Sequence, residues 1–155
     1  MSIDSVRRFF QQQAPDIRVR EAAQSTATVD EAAAALGVLP CRIAKTLALH
    51  VGRPALVVIP GDARLDNAKC RALFGVKARM LDAGAVERLT GHPPGGVCPF
   101  GLPEPMPVYC DYALRAHGTV FPAAGAPNSF VELTPDRLAA LAAGAWADLV
   151  RATAD

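Results

Sequence analysis

Hydrophobic and polar residues alternate along residues 42–51 in a pattern that predicts a β-strand. Successive side chains of a strand point to opposite faces. The bulkier of the two predicted rows consists of Ile43, Lys45, Leu47 and Leu49. The opposite row consists of Ala44, Thr46, Ala48 and His50. The ammonium group of Lys45 therefore falls in the middle of the bulkier apolar row.

A charge in such a row has two explanations. Burying the ammonium group is costly unless an anionic group meets it, which points to a ligand pocket at Lys45. The alternative is a strand-end lysine that lays its stem on the core and extends its charge to water. The chain has only three lysines against 13 arginines, so Lys45 is not routine surface composition. The strand pattern alone leaves both explanations open.

The rest of the pattern predicts a mixed α/β domain without an internal repeat or a linker. Helices are expected at 2–13, 28–36, 67–74, 82–89 and 134–143. Strands are expected at 42–51, 55–59, 76–81, 108–112, 119–121, 129–133 and 146–150. The first two strands should form a hairpin around Val51–Pro54, and the last should lie at a sheet edge. Helix N-caps are expected at Thr28 or Asp30, and at Asp66, Asp82 and Thr134.

Composition fits one folded domain that spans residues 1–155. The chain is 51% hydrophobic and 20% charged, and no apolar run approaches the roughly 18 residues of a membrane span. The first residues lack the apolar core of a signal peptide, so we expect a cytoplasmic protein with no membrane partner. The four cysteines form no C-x-x-C pair, and no zinc signature is visible.

The segment from Gly91 to Pro107 is predicted to be a loop, because it contains four glycines and six prolines. Glycines let a ligand approach the backbone amides, and the prolines stiffen the frame around them. Such a loop suits holding a hydroxyl, carbonyl or phosphate oxygen. The alternative is a rigid surface loop without function, but a structureless loop of this length favours a functional one.

Other polar residues are weaker candidates. His92 is a candidate base, although a loop histidine is more often solvated. Asn128 and Ser129 begin an apolar strand, where an Asx turn is the plainer explanation. Six basic and three acidic residues between Arg64 and Arg88 would make a modest basic patch, or ordinary solvated helix faces. No conventional catalytic triad or pair of carboxylates is visible.

Three motifs together resemble a known family. They are the segments starting at Arg42 (RIAKTL), Gly61 (GDARLDNAK) and Gly91 (GHPPGGVCPFG). In this order they are similar to the YbaK/ProX-type aminoacyl-tRNA deacylases, which resemble the editing domain inserted in bacterial prolyl-tRNA synthetases. The resemblance covers nearly the whole chain. It implies a mixed, partly barrel-like β-sheet with surrounding helices, and neither a metal nor a cofactor.

The resemblance also implies a reaction and a site. The reaction is trans-editing, the hydrolysis of the ester between a wrong amino acid and the 3′-terminal adenosine of a tRNA. The family's central lysine corresponds to Lys45, and its glycine–proline loop corresponds to 95–99. We expect a catalytic set of Lys45, Gly95 and Gly96. The expected substrate-binding set is Ser25, Thr26, Thr46, Val97, Cys98, Pro99, Gly101, Asn128 and Ser129.

Substrate and partners follow from the same resemblance. The expected substrate is a small amino acid mischarged on tRNA-Pro, with alanine, cysteine, serine, threonine and 2-aminobutyrate all open. The expected partner is the acceptor end of that tRNA, with or without a prolyl-tRNA synthetase, and the protein is a monomer or a homodimer. Two alternatives remain: a non-catalytic module that binds tRNA ends or a synthetase, and a thiol-dependent hydrolase using Cys98.

Overall fold

The computed structural model describes residues 2–151, which form five α-helices and eight β-strands. The helices are α1 (Ser2–Gln13), α2 (Val29–Leu36), α3 (Asn67–Phe74), α4 (Ala83–Thr90) and α5 (Pro135–Leu141). The strands are β1 (Arg20–Glu21), β2 (Ile43–His50), β3 (Pro54–Pro60), β4 (Arg79–Met80), β5 (Val108–Asp111), β6 (Phe121–Pro122), β7 (Ser129–Phe130) and β8 (Ala145–Ala147). The mixed α/β class predicted from the sequence is confirmed.

Side-chain caps fix the starts of four helices. The oxygens of Thr28, Asp66, Asp82 and Thr134 each accept the backbone N–H three residues further on. Each cap satisfies one of the N–H groups that have no partner inside the helix. The predicted starts at Asp66, Asp82 and Thr134 are confirmed, and the cap of α2 is Thr28 rather than Asp30. Helix α5 ends at Leu141, two residues before the predicted end.

The main sheet is mixed and contains six strands in the order β4-β2-β3-β5-β8, with β6 also paired to β2. The predicted hairpin is confirmed, since β2 and β3 pair antiparallel along their whole length. The pairs β3–β5, β5–β8 and β2–β6 are parallel. Strands β1 and β7 form a separate antiparallel pair. Within residues 2–151 the strands do not close into a barrel.

One edge of β2 is divided between two short partners. Strand β6 pairs with Ile43 and Ala44 at one end, and β4 pairs with Leu49 and His50 at the other. Among the residues described, no strand pairs with 45–47 on this edge. The sheet therefore opens a gap beside Lys45, and the candidate site lies in this gap.

The two rows of β2 contact different parts of the core, as the alternation predicts. Ala44 and Ala48 belong to the largest hydrophobic cluster, which also contains Phe10 of α1. Leu49 belongs to a second cluster, together with Cys70 of α3. A third cluster joins α2 to β2, β6 and β7. The sheet is thus covered on both faces, and α2 packs near the gap.

Four strand predictions differ from the structure by more than one residue at an end. The predicted strand 119–121 forms only at Phe121 and Pro122. The predicted strand 76–81 forms only at 79–80, and 129–133 forms only at 129–130. The predicted edge strand 146–150 ends at Ala147, because the N–H groups of Leu149 and Val150 donate to the buried carboxylate of Asp111. Strand β1 was not predicted, since its two residues are exposed and carry no hydrophobic pattern.

Candidate functional site

The gap beside β2 contains a cavity of about 160 Å³. Strand β2, the start of α2, the glycine–proline loop and β7 contribute its walls. The residues that line it are Thr26, Ala27, Thr28, Val29, Ala32, Ile43, Ala44, Lys45, Thr46, Gly95, Val97, Ala123, Ser129 and Phe130. An enclosed cavity of about 150 Å³ accepts a molecule the size of benzene, so this one suits a small group.

Lys45 brings a positive charge to the cavity. Its side chain is half-buried, and no aspartate or glutamate is among the lining residues. Within residues 2–151, Lys45 takes part in no salt bridge. A partly desolvated ammonium group without a counter-ion favours an anionic ligand or a group that develops negative charge.

The hydroxyl oxygen of Thr46 is buried and has no hydrogen-bond partner among residues 2–151. Leaving a buried polar atom unpaired costs about 1–3 kcal/mol, so such atoms are rare in native proteins. Thr46 lines the same cavity as Lys45. Together they indicate a polar or charged ligand.

The start of α2 adds a further polar feature that sequence reasoning did not assign to the site. Thr28 caps this helix and lines the cavity together with Val29. Helix N-termini carry a partial positive charge that favours anions. The cap at Thr28 was predicted from the sequence, but its position beside Lys45 depends on the packing of α2 against the sheet.

Two glycines of the loop make close backbone approaches. Gly95 has a positive φ of 82°, and a side chain there would lie 2.7 Å from Cβ of Ala27. A side chain at Gly96 would lie 2.6 Å from the backbone nitrogen of Ala126. The carbonyl of Gly96 also accepts the N–H of Gly125 at 2.9 Å. Glycine at both positions therefore lets the loop close one side of the cavity.

The loop offers two backbone N–H groups to the cavity. Gly95 and Val97 line it, and within residues 2–151 no backbone carbonyl accepts their N–H groups. In contrast, the N–H of Gly96 donates to the carbonyl of Pro93 at 3.0 Å. Among the described residues, the N–H groups of Gly95 and Val97 are therefore free to bind a ligand oxygen, whereas that of Gly96 is already engaged.

A buried histidine holds the glycine–proline loop in place through hydrogen bonds. His92 is fully buried, contrary to the expectation of a solvated loop residue. Its Nε2–H donates to the carbonyl of Phe100 at 2.8 Å, so its Nδ1 is left to accept from the hydroxyl of Ser2. Burial lowers the pKa of His92, which keeps the ring neutral. His92 fixes the loop and does not line the cavity.

Cys98 lies beside this histidine. It is fully buried, with its Sγ 3.5 Å from Nε2 of His92. Burial raises the pKa of the Cys98 thiol to about 12. A reactive cysteine needs an accessible thiolate, which this environment disfavours. Cys98 does not line the cavity.

Thr26 and Ser129 line the cavity, but their hydroxyl groups are already engaged. The Thr26 hydroxyl donates to the carbonyl of Pro127 at 3.2 Å. The Ser129 hydroxyl donates to the carbonyl of Ala126 at 3.0 Å and accepts the N–H of the same residue. Both side chains therefore hold the segment 126–129 against the cavity.

The remaining predicted site residues lie outside the cavity lining. Ser25 is exposed and accepts the N–H of Ala27, while Asn128 donates to the carbonyl of Ala22. Pro99 is buried in the loop, and Gly101 packs against α1. The structure thus brings together Lys45, Thr46, Gly95, Val97, Thr26 and Ser129.

Sequence reasoning missed the apolar walls of the cavity. Val29, Ala32, Ile43 and Phe130 come from α2, β2 and β7, which are far apart in the chain. Their spacing shows only that they face a core. The pairing of β6 and β7 with their neighbours is what brings them to the cavity.

The described part of the chain contains neither a membrane-spanning helix nor a metal-binding cluster. None of its helices is both long and apolar enough to cross a bilayer. Residues 2–151 also contain no group of three or more histidine, cysteine, aspartate or glutamate side chains placed to hold a metal ion.

Comparison with known proteins gives one consistent family. Residues 23–141 match the family described as the aminoacyl-tRNA editing domain. The uncharacterized protein YwhH of Bacillus subtilis is 45% identical over 154 residues, covering 97% of this chain and 98% of that protein. EbsC of Enterococcus faecalis, a candidate Cys-tRNA(Pro)/Cys-tRNA(Cys) deacylase, is 31% identical over 79% of this chain and 76% of its own length.

A solved structure extends the likeness to the fold. The crystal structure of a candidate trans-editing enzyme for prolyl-tRNA synthetase superposes with a TM-score of 0.90 at 33% identity. It covers 97% of this chain and 98% of its own. The match in sequence spans most of the chain, and the match in structure spans nearly all of it. The chain therefore belongs to the aminoacyl-tRNA editing domain family.

Proposed function

We propose that this protein is an aminoacyl-tRNA deacylase that acts in trans and hydrolyses the ester of a small amino acid on tRNA. The observation that carries the proposal is the pairing of Lys45, without a counter-ion, and the unpartnered Thr46 hydroxyl in one small cavity. An aminoacyl ester supplies the groups that this cavity lacks: oxygen atoms, a nearby phosphate and a small side chain.

The reaction needs little from the protein beyond positioning and electrostatic stabilisation. A water molecule adds to the ester carbon, and negative charge develops on the carbonyl oxygen. Gly95, Val97 and Lys45 line this space, and we assign the stabilisation of this charge to their backbone N–H groups and to the ammonium group. The neighbouring ribose hydroxyl takes up the proton that the water loses and passes its own proton to the departing ribose oxygen, so the bond breaks to give the free amino acid and the tRNA with both ribose hydroxyls restored. This route needs no catalytic triad.

The size and character of the cavity support selection of small amino acids. Its volume of about 160 Å³ and its walls at Val29, Ala32 and Ile43 leave room for a short side chain. Apolar pockets discriminate by size, with one methylene group worth about 10- to 200-fold in rate. We favour alanine on tRNA-Pro, with cysteine, serine, threonine and 2-aminobutyrate as competing candidates. The relatives named for prolyl-tRNA editing support this choice of tRNA.

We further propose that the partner is the tRNA acceptor end and that prolyl-tRNA synthetase supplies charged tRNA. The compartment would be the cytoplasm, where charged tRNA is used. Four free cysteines, three of them buried, are consistent with a reducing compartment.

The test is incubation of the purified protein with tRNA-Pro charged separately with alanine, cysteine, serine, threonine, 2-aminobutyrate and proline. We expect release of at least one small amino acid well above the buffer rate, and slow release of proline. Filter binding to uncharged tRNA-Pro is measured in parallel. Binding without release of any amino acid would reject the deacylase and support the non-catalytic module instead.

A further inference from the structure

A second cavity adjoins the first along the divided edge of β2. It measures about 250 Å³, and its walls are almost wholly apolar. The residues that line it are Thr46, Leu47, Ala48, Met80, Leu81, Ala83, Val86, Pro94 and Val97. Thr46 and Val97 also line the first cavity, so these two side chains form the boundary between them. We call this second cavity the β4 groove.

The proposed function does not use the β4 groove, and the groove is poorly suited to the reacting groups. It holds no charged side chain, whereas Lys45 and the start of α2 lie in the first cavity. Met80 at its rim is 62% exposed, which is high for a large hydrophobic residue. An exposed apolar surface next to a reaction site indicates an apolar part of a ligand.

Building on the proposed deacylase function, we propose that the β4 groove binds the terminal nucleobase of the tRNA, a purine. The base is joined to the ribose that carries the amino acid, so it must lie within one sugar ring of the ester. The β4 groove is separated from the ester cavity only by Thr46 and Val97. A nucleoside would therefore reach across this boundary, with its ribose beside Thr46 and Val97.

The size of the groove fits the same occupant. A cavity of about 150 Å³ accepts a benzene-sized ring, and the β4 groove of about 250 Å³ therefore has room for a bicyclic base. Contacts between a base and apolar surface depend weakly on base identity, which suits a nucleotide that every tRNA shares.

The binding test uses the methyl signals of the three methionines, labelled with carbon-13. The probes are adenosine 5′-monophosphate, ribose 5-phosphate and free alanine. We expect the nucleotide to shift the Met80 signal through the ring current of the base, and the other two probes to leave it in place. The tryptophan of Ala83→Trp would fill the groove from an exposed position, so we expect at least tenfold weaker nucleotide binding when the Met80 signal is followed in a titration. Ala72→Trp on α3 should leave this binding unchanged.

The kinetic test compares Met80→Ala with Leu73→Ala, since both residues are exposed hydrophobics. We expect Met80→Ala to raise KM for mischarged tRNA about fivefold with little change in kcat, because part of the apolar contact with the base is lost. Leu73→Ala should behave as the wild type.

Three results would overturn the nucleobase groove. They are an unmoved Met80 signal with the nucleotide, an equal shift with ribose 5-phosphate, and a shift with alanine alone, which would assign the groove to the amino acid. Failure of the proposed function is a separate outcome. If the wild type releases no amino acid from any charged tRNA, the deacylase fails, and the Met80 signal still decides whether the groove binds a base.

Discussion

At the scale of single residues, two neighbouring side chains of β2 carry the account. Lys45 and Thr46 lie in a gap where the sheet has no strand partner, and both line the same cavity. Among residues 2–151, the charge of Lys45 has no counter-ion and the hydroxyl of Thr46 has no hydrogen-bond partner. Neither arrangement is favourable for the folded protein alone, so both point to a ligand.

The first prediction concerns the charge of Lys45. Lys45→Met keeps the length of the side chain and removes the ammonium group. We expect kcat/KM for the preferred charged tRNA to fall about 100-fold, the loss typical when one stabiliser of an oxyanion is removed. Thermal stability should change little, because Lys45 forms no salt bridge within residues 2–151.

Lys77→Met is the matched control, since Lys77 is exposed and also lies outside the salt bridges of the described residues. It should retain activity within twofold. An equal loss in both variants would indicate general attraction of tRNA by positive charge. Full activity in Lys45→Met would remove Lys45 from the mechanism.

The second prediction contrasts two threonines of the cavity. The Thr46 hydroxyl has no partner, so Thr46→Val should raise the free energy of unfolding by about 1 kcal/mol and lower kcat/KM. The Thr26 hydroxyl donates to Pro127, so Thr26→Val should lower the free energy of unfolding by about 1 kcal/mol. Urea denaturation and deacylation assays measure both effects. Destabilisation by Thr46→Val would show that its hydroxyl already has a partner.

The third prediction concerns His92 and pH. Burial lowers its pKa in the folded protein from the ordinary value of 6.5. The unfolded chain therefore binds a proton more readily than the folded protein. The part of the free energy of unfolding that depends on neutral His92 is fully present above about pH 6.5 and is lost as the pH falls below that value.

Urea denaturation between pH 7.5 and pH 5 measures this contribution. His92→Gln can still donate to the carbonyl of Phe100 but does not titrate in this range. We expect the wild type to lose more stability than His92→Gln as the pH falls. Parallel pH profiles of the two proteins would show that His92 is not held neutral by burial.

At the scale of elements, the glycine–proline loop packs closely against neighbouring backbone and forms one wall of the cavity. Gly96 lies so close to the backbone of 125–126 that a side chain would collide with it. The fourth prediction is that Gly96→Ala lowers the free energy of unfolding by about 1–3 kcal/mol, the usual range for overpacking. Deacylation should fall as well, because the loop carrying Gly95 and Val97 must move.

Gly118→Ala provides the control for this loop variant. A side chain at Gly118 meets no atom within 4 Å, and its φ is not in the left-handed region. Its stability should match the wild type or exceed it slightly, as a glycine-to-alanine change can restrict the unfolded chain. If Gly96→Ala is as stable as Gly118→Ala, the loop is not packed as described.

Prediction from sequence succeeded for elements with strong local signals. The alternation in 42–51 was sufficient to predict β2 and to single out Lys45 before any contact was known. Caps such as Thr28 and Asp66 fixed helix starts, because their bonds reach only three residues along the chain. Short strands such as β1 were missed, because two exposed residues carry no periodic pattern.

The site was only partly predictable, because its contacts join distant segments. The burial of His92 depends on a hydrogen bond to Ser2, which is 90 residues away. The apolar wall at Phe130 depends on the pairing of β1 with β7 and on the packing of α2. Among the loop residues, local sequence could not show that Gly95 faces the cavity while Cys98 turns into the core.

At the scale of the whole molecule, the fold places two cavities on one divided strand edge. The mixed sheet, with β6 and β4 at opposite ends of β2, keeps the middle of that strand open. Helix α2 and the glycine–proline loop close the first cavity, and α4 and β4 close the second. In the proposed mode of binding, a charged tRNA end spans both, with the amino acid in one and its base in the other.

The fifth prediction tests the central claim, that the cavity beside Lys45 hydrolyses small aminoacyl esters on tRNA. The measurement is the single-turnover rate of amino-acid release from Ala-tRNA-Pro and Pro-tRNA-Pro with excess protein. We predict release of alanine well above the buffer rate and at least about tenfold faster than release of proline, because the cavity admits the smaller side chain. Release of proline as fast as alanine, or no release of any small amino acid when the same measurement is made with cysteine, serine, threonine and 2-aminobutyrate, would contradict the account.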